Sequence, residues 1–165
     1  MIPFLFPQSV KCEVTTKQAM PITFTVYGEP RPAGSKRAFP HPTTGRIIVK
    51  DESGKKGEAW RRDVQAAAQA AYDGPLLEGP LRVAFTFYRP RPKGHYGTGR
   101  NAEKLKPSAP RFPITRPDVL KLARAVEDAL TGLLWRDDAQ IVDERLIKRF
   151  AEDGRPLLFV EVEQL

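Results

Sequence analysis

The chain has almost none of the residues on which disulfide-stabilised and zinc-binding proteins depend. Its 165 residues contain one cysteine, Cys12, and two histidines, His41 and His95. One cysteine excludes a disulfide within the chain and a cysteine-rich zinc site. Two isolated histidines are too few for a histidine metal centre. No serine or cysteine lies in a setting that predicts a catalytic nucleophile. A single thiol fits a reducing compartment, so we expect a cytoplasmic protein.

Long apolar segments are also missing. The opening MIPFLF is too short for a signal peptide or a membrane helix and lacks a basic leader, so the sequence predicts no membrane contact. Residues 1–19 precede the first clear strand pattern. We interpret them as an N-terminal extension, which is either a mobile arm or the product of a misplaced start codon. Residues 20–165 then form one domain, long enough to bury a core.

Acidic residues are the minority. The chain carries 27 Lys and Arg against 20 Asp and Glu, which gives a net charge of +7 and favours an anionic partner. The segment 89–117 alone holds eight basic residues and one acid, Glu103, and so equals the charge of the whole chain. It is rich in proline and glycine and has no apolar periodicity, which predicts a long loop. A solvated segment and a nucleic-acid contact both explain it, but its position directly before Asp118 favours the contact.

The apolar spacing predicts an α+β fold. Alternation or turn signals indicate strands over 22–27, 37–50 (as a hairpin), 81–88, 141–150 and 156–162, and helical spacing indicates helices over 57–72 and after Pro117. We expect a single mixed β-sheet with two main helices packed on it.

The segment RPDVLKLARAVEDALTGLLWRDDAQI, residues 116–141, predicts the second helix and a candidate metal site. Pro117 suits a helix start, Asp118 can cap the first amides, and Gly132 offers a stop. Acids then stand at both ends, as Asp118 and as Asp137-Asp138. A divalent cation needs converging oxygen ligands. A turn would also explain the aspartate pair by itself.

This segment resembles the signature of the RusA family of phage-type Holliday junction resolvases, P-D-x-D-N-x-x-K-x-x-x-D-A-L-x-G followed by D-D-x-Q. The residues that match are Pro117, Asp118, Leu122, Asp128, Ala129, Leu130, Gly132, Asp137, Asp138, Gln140 and Ile141. A weaker likeness runs from Met20 to the C-terminus. The resemblance implies a RusA-like α+β fold, a homodimer and metal-dependent cleavage of four-way DNA junctions.

Three positions depart from the signature. Leu120 stands in place of the second acid, Lys121 in place of the asparagine and Arg124 in place of the lysine. At about 100° per residue, Leu120 lies off the apolar stripe of the helix, near Lys121, Arg124 and Glu127. Arg124 keeps the positive charge but is a poor proton donor. One of the acids at the start of the next strand, Asp143 or Glu144, is a candidate to replace the lost carboxylate.

The residues and the resemblance together give a candidate site for Mg²⁺, or Mn²⁺, and DNA. We expect Asp118, Asp138 and Arg124 to be catalytic. We expect the metal ligands to be Asp118, Asp138, Asp137 and Asp128. For contact with DNA we expect Lys121, Arg116, Arg111, Arg89, Arg91, Lys93, Arg31, Lys36 and Arg37. Two other hypotheses stay open. Leu120 could mark a junction-binding protein that has lost cleavage, and the charge alone would also fit an RNA-binding domain.

Overall fold

The computed structural model describes residues 20–34, 36–51 and 54–165, without the side chains of residues 36, 37 and 49–51. The predicted extension 1–19 lies outside these ranges. The strands are β1 (Ile22–Tyr27), β2 (Lys36–Pro40), β3 (Ile47–Asp51), β4 (Leu81–Arg89), β5 (Ile141–Phe150) and β6 (Leu157–Gln164), and the helices are α1 (Gly54–Ala71) and α2 (Val119–Leu130). The predicted elements are therefore confirmed.

Two helices pack on a mixed four-stranded sheet, which confirms the α+β fold. The strand order is β1-β6-β4-β5; β4 and β5 run parallel, and the other neighbours are antiparallel. A parallel neighbour requires a crossover, and the chain makes it through α2 and the segment 89–117 before it, which we call the basic loop. The hairpin β2–β3 differs from the expectation of one sheet, since it forms a separate two-stranded sheet.

The core lies between the helices and one face of the sheet. Along β4, every second side chain is buried and packs toward α1 and α2, as the alternation of a strand dictates. Both tryptophans are core residues, because Trp60 is 4% exposed and Trp135 is fully buried. The other fully buried large side chains are Phe85, Phe87, Leu81, Leu122, Leu130, Leu134, Leu158, Val64, Val83, Val126 and Val160.

A register shift at the start of β5 decides which acid faces the helices. Leu81 pairs with Ile141, but the next residue, Arg82, pairs with Asp143, so Val142 is an extra residue. Beyond it, Glu144 pairs with the buried Val83 and lies on the helix side of the sheet. Asp143 points to the opposite face.

Within the described ranges, no helix is long and apolar enough to cross a membrane.

Candidate functional site

A group of carboxylates lies where the end of α2 meets the start of β5. The carboxyl group of Glu127 on α2 hydrogen-bonds that of Glu144 on β5. Burial, that hydrogen bond and the negative charges of Glu144, Asp138 and Asp128 raise the pKa of Glu127 to about 8. Two carboxyl groups this close repel each other when both are ionised, so the nearby acids add to the effect of burial. A cation bound at this place would reduce that repulsion.

Asp138 is held in position by the end of α2 and by the core. Its Oδ1 accepts a hydrogen bond from the indole nitrogen of Trp135 at 2.9 Å and a second one from the hydroxyl of Thr131. Thr131 follows α2 directly. Oδ1 is thus occupied, and these two bonds fix the orientation of the whole carboxylate, including its other oxygen.

The neighbouring Asp137 shapes the turn. Its side chain accepts from the backbone amide of Ala139 at 2.8 Å, while the Gln140 side chain accepts from the amides of Arg136 and Asp137. Gln140 also donates to the carbonyls of Leu77 and Gly79. This reciprocal cap around the 3₁₀ turn Asp138–Gln140 explains the D-D-x-Q pattern structurally.

The structure places Asp143 and Glu144, the two candidates to replace the acid missing at Leu120, on opposite faces of the sheet. Asp143 forms an ion pair with Arg82 at 2.6 Å on the outer face of the sheet. Glu144 contacts Glu127 on the helix side. Leu120 itself is 68% exposed, as expected from the helical wheel. With Arg124 and Glu127 on α2 and Thr131 directly after it, Leu120 forms a stripe at spacings of three and four residues. Arg124 is exposed on this stripe, one turn before Glu127.

Asp118 lies at the other end of α2. The helix has twelve residues, so Asp118 and Thr131, which flank it, are separated by roughly 20 Å at about 1.5 Å per residue. The prediction that the Asp118 side chain caps the helix is wrong: Asp118 occupies the capping position, but its carboxylate accepts no capping hydrogen bond. The carboxylate instead lines a cavity.

That cavity, of about 490 Å³, is strongly basic and unites residues predicted from distant parts of the sequence. The turn before β2 reaches α2 through a 2.8 Å hydrogen bond from the Ala33 amide to the Lys121 carbonyl. This bond brings Arg31 beside the start of the helix. The lining residues are Arg31, Pro32, Ala33, Arg89, Arg116, Pro117, Asp118 and Lys121. We call this space the α2 cavity.

Two residues that the sequence did not single out organise the α2 cavity. Glu29 forms ion pairs with Arg31 at 2.6 Å and with Arg89 at 3.2 Å. Lys148 on β5 donates to the carbonyls of Thr115 and Pro117, each at 2.9 Å. Burial, followed by the positive charge of Arg89, lowers the pKa of Lys148, and Asp118 opposes this. Burial also lowers the pKa of Arg89. A site that crowds cations in this way favours a bound anion.

The remaining predicted residues lie elsewhere. Asp128 is exposed on the α1 side of α2, where Arg61 donates to its backbone carbonyl at 2.6 Å. Lys93 is exposed in the 3₁₀ turn Lys93–His95 of the basic loop. Arg91 and Arg111 line a second cavity. The side chains of Lys36 and Arg37 lie outside the described part of the structure.

The carboxylates of Glu127, Glu144 and Asp138 are ligands of the kind that a hard divalent cation prefers, but they do not converge on one point. In the described part of the chain, no three His, Cys, Asp or Glu side chains converge well enough to hold a metal ion. Glu127, Glu144 and Asp138 supply only carboxylate oxygens, the ligands that Mg²⁺ prefers. Burial and then the nearby acids raise the pKa of Glu127, and a cation would relieve the repulsion among those acids.

Comparison with known proteins agrees with the signature in α2. The family model described as Endodeoxyribonuclease RusA matches residues 28–163. A protein of Bacillus subtilis (strain 168) with the name "Uncharacterized protein YqaN" is 33% identical over 138 residues, which cover 81% of this chain and 91% of that relative. The match contains β4, the basic loop, α2, the 3₁₀ turn and β5, and therefore every part of the site described above.

Proposed function

The chain belongs to the RusA family of Holliday junction endodeoxyribonucleases, and we propose that it cuts four-way junctions with the carboxylate group around Asp138, while the α2 cavity holds the DNA backbone. The observation that carries this proposal is the arrangement along α2. Fixed carboxylates lie at the end of the helix, four basic side chains lie at its start, and Arg124 lies between them.

RusA family nucleases generally need a divalent metal. We propose that Asp138, Glu127 and Glu144, which do not converge in the described structure, would close together to hold Mg²⁺, or Mn²⁺ in its place. When bound, such an ion supplies an activated water and neutralises charge on the phosphate. Glu144 thereby replaces the acid that the signature has at Leu120. Ligation by Asp118, Asp128 and Asp137 stays a prediction. Asp118 lines the α2 cavity, and Asp137 caps the 3₁₀ turn.

The protein's own side chains perform the rest of the reaction. Arg31, Arg89, Arg116 and Lys121 bind phosphodiester oxygens in the α2 cavity and fix the position of the strand. Trp135 and Thr131 orient the Asp138 carboxylate. Arg124 lies where a strand leaving the α2 cavity would reach the carboxylates, and its fixed charge stabilises the negative charge that develops on the phosphoryl oxygens. Arginine is a poor proton donor, so protonation of the leaving oxygen is left to water.

A homodimer is part of the proposal, because a four-way junction has two equivalent strands to cut and each chain carries one site. Paired nicks on opposite strands therefore require two copies of the chain. Light scattering of the free protein and of its junction complex would measure this stoichiometry. A single copy on each junction would contradict it.

The test is cleavage of a labelled four-way junction, with a linear duplex alongside. We expect symmetric paired nicks in Mg²⁺ or Mn²⁺ that stop with EDTA. Asp138→Asn should lower the nicking rate by more than about 100-fold, since even residues that only support a metal ligand contribute about 10- to 100-fold. Asp137→Asn is the matched control, because the adjacent acid shapes a turn. Equal losses in the two variants would overturn the role given to Asp138.

A second candidate function is junction binding without cleavage. It is motivated by Leu120, which exposes an apolar side chain on the stripe that carries Arg124 and Glu127. Both functions predict salt-dependent junction binding, so only turnover separates them. Tight binding of the junction without any nick in Mg²⁺ or Mn²⁺ would favour this second function.

A further inference from the structure

A second basic cavity lies at the same end of the sheet as the α2 cavity. Its volume is about 550 Å³, and four arginines contribute to its walls. We call it the outer cavity. The lining residues are Tyr88, Arg91, Arg111, Phe112, Arg149, Phe150, Ala151, Glu152, Asp153, Arg155 and Leu157.

The two cavities are on opposite faces of the sheet. On β5, Lys148 lies on the helix side, since it contacts the carbonyl of Pro117 just before α2. The next residue, Arg149, points to the other face, because successive side chains of a strand alternate. On β4, Arg89 lines the α2 cavity and Tyr88 lines the outer cavity in the same way. The strand ends therefore deliver positive charge to both faces.

The basic loop forms one wall of the outer cavity and is fixed there by two contacts of Arg91. The Arg91 guanidinium lies 4.1 Å from the centre of the Phe150 ring. It also donates to the carbonyl of Pro110 at 2.9 Å. Arg91 thus joins the start of the loop and its later part at Pro110 to the end of β5. These contacts hold the loop against β5, so the wall of the outer cavity is formed by packing.

The exposed side chains of the outer cavity suit a nucleic-acid strand. Arg149 is exposed, and the Arg155 side chain is 81% exposed. Phe112 exposes 52% of its surface with the Arg111 guanidinium 5.4 Å from its ring, a pairing that offers a flat surface to a base or sugar beside a phosphate contact.

Two acids, Glu152 and Asp153, also line the outer cavity. Asp153 is engaged within its own turn, since it accepts from the Arg155 amide at 3.0 Å and lies 3.9 Å from the Arg155 side chain. Four arginines against two acids leave the cavity net positive.

We propose that the outer cavity binds the phosphodiester backbone of a second strand of branched DNA, and that this contact distinguishes a junction from a linear duplex. The inference rests on the proposed junction function. A duplex seated in the α2 cavity lies along the helix side of the sheet and does not turn around the sheet end. At a branch point the strands diverge, so one strand can follow each face. Arg149 and Arg155 then contact phosphates that a linear duplex does not bring to them.

The test compares Arg149→Ala, Arg155→Ala and the double variant with Arg145→Ala. Arg145 is the matched control, since it lies on the same face of β5 but in a pocket with Asp143, Glu161 and Glu163. Fluorescence anisotropy in EDTA would measure the Kd for a labelled four-way junction and for a linear duplex of the same sequence. We expect each variant to weaken junction binding on the order of tenfold and to reduce the salt slope by about one. Duplex binding, and both affinities of Arg145→Ala, should change less than about twofold.

The outcomes separate the inference from the function on which it rests. A wild-type protein without preference for the junction would overturn the proposed function itself. A wild-type preference that the double variant retains would overturn only the role of the outer cavity, provided that thermal unfolding shows the variant to be folded. Equal weakening of junction and duplex binding would also overturn it, because the arginines would then act as a general DNA contact.

Discussion

The indole nitrogen of Trp135 donates a 2.9 Å hydrogen bond to the carboxylate of Asp138, so a fully buried core residue fixes an acid at the surface. The indole ring is locked by the packing around it, and the hydrogen bond transmits that rigidity to the carboxylate. A metal ligand whose orientation is set in advance loses less conformational freedom when the ion binds. The packing of the core therefore sets the orientation of a proposed metal ligand.

Trp135→Phe should lower both the stability and the nicking rate. The variant keeps an aromatic ring but removes the donor to a charged group, which typically contributes about 1.5–3 kcal/mol. We expect the free energy of unfolding to fall by about 2 kcal/mol and the nicking rate to fall at least about tenfold. Urea denaturation and junction cleavage in Mg²⁺ measure the two effects.

Trp60→Phe is the matched control for that experiment. Trp60 is also a core residue, but its indole nitrogen has no hydrogen-bond partner among the residues described. The same truncation should therefore reduce stability less and leave the nicking rate nearly unchanged. If both variants lose cleavage equally, Trp135 acts only through the stability of the core.

Much of the fold could be predicted because its patterns are local. The three- and four-residue spacing of Leu122, Val126 and Ala129 places α2, and the same wheel places Leu120 outside the core. Strand β5 has the predicted bounds, Ile141–Phe150. Such patterns depend only on how side chains repeat along a helix or a strand.

The site was harder to predict, because it depends on register and on distance. Because Val142 is an extra residue, Glu144 and not Asp143 faces Glu127. No local sequence pattern predicts such a bulge. The resemblance groups Asp118 with Asp138, whereas the length of α2 separates them. Glu29 and Lys148 act on the α2 cavity through tertiary contacts that their sequence neighbours do not reveal.

The raised pKa of Glu127 predicts how stability depends on pH. The pKa rises from 4.5 to about 8 through burial and the nearby acids. A folded state that binds the proton more tightly than the unfolded state gains stability at low pH. This contribution is present in full below about pH 4.5 and is lost as the pH rises toward 8. In EDTA, the free energy of unfolding of the wild type should fall across this window.

Glu127→Gln isolates that effect, because glutamine cannot ionise. The variant should show a flatter pH dependence than the wild type and should be the more stable of the two at pH 8. Urea denaturation at several pH values in EDTA gives the comparison. Equal slopes for the two proteins between pH 4.5 and 8 would show that Glu127 ionises normally.

Leu120→Asp should strengthen metal binding if the leucine occupies a lost ligand position. The new carboxylate would lie on the same stripe of α2 as Glu127, two turns earlier, where it could help to hold a second ion. We expect the Mg²⁺ concentration for half-maximal nicking to fall several-fold. Leu165→Asp, at an exposed leucine far from α2 in sequence, controls for the added charge. No gain beyond the control would show that Glu127 and Glu144 already complete the site.

Arg124 should act through its charge alone. It is exposed on α2 between the α2 cavity and Glu127, and an arginine does not release a proton near neutral pH. Arg124→Ala should reduce the nicking rate about 100- to 1,000-fold, the usual effect of removing one group that stabilises a transition state. Arg124→Lys keeps the charge and should stay within about tenfold of the wild type. Single-turnover cleavage at saturating protein separates the rate from binding. If lysine were as damaging as alanine, the planar guanidinium and its paired hydrogen bonds, rather than the charge, would be the property on which cleavage depends.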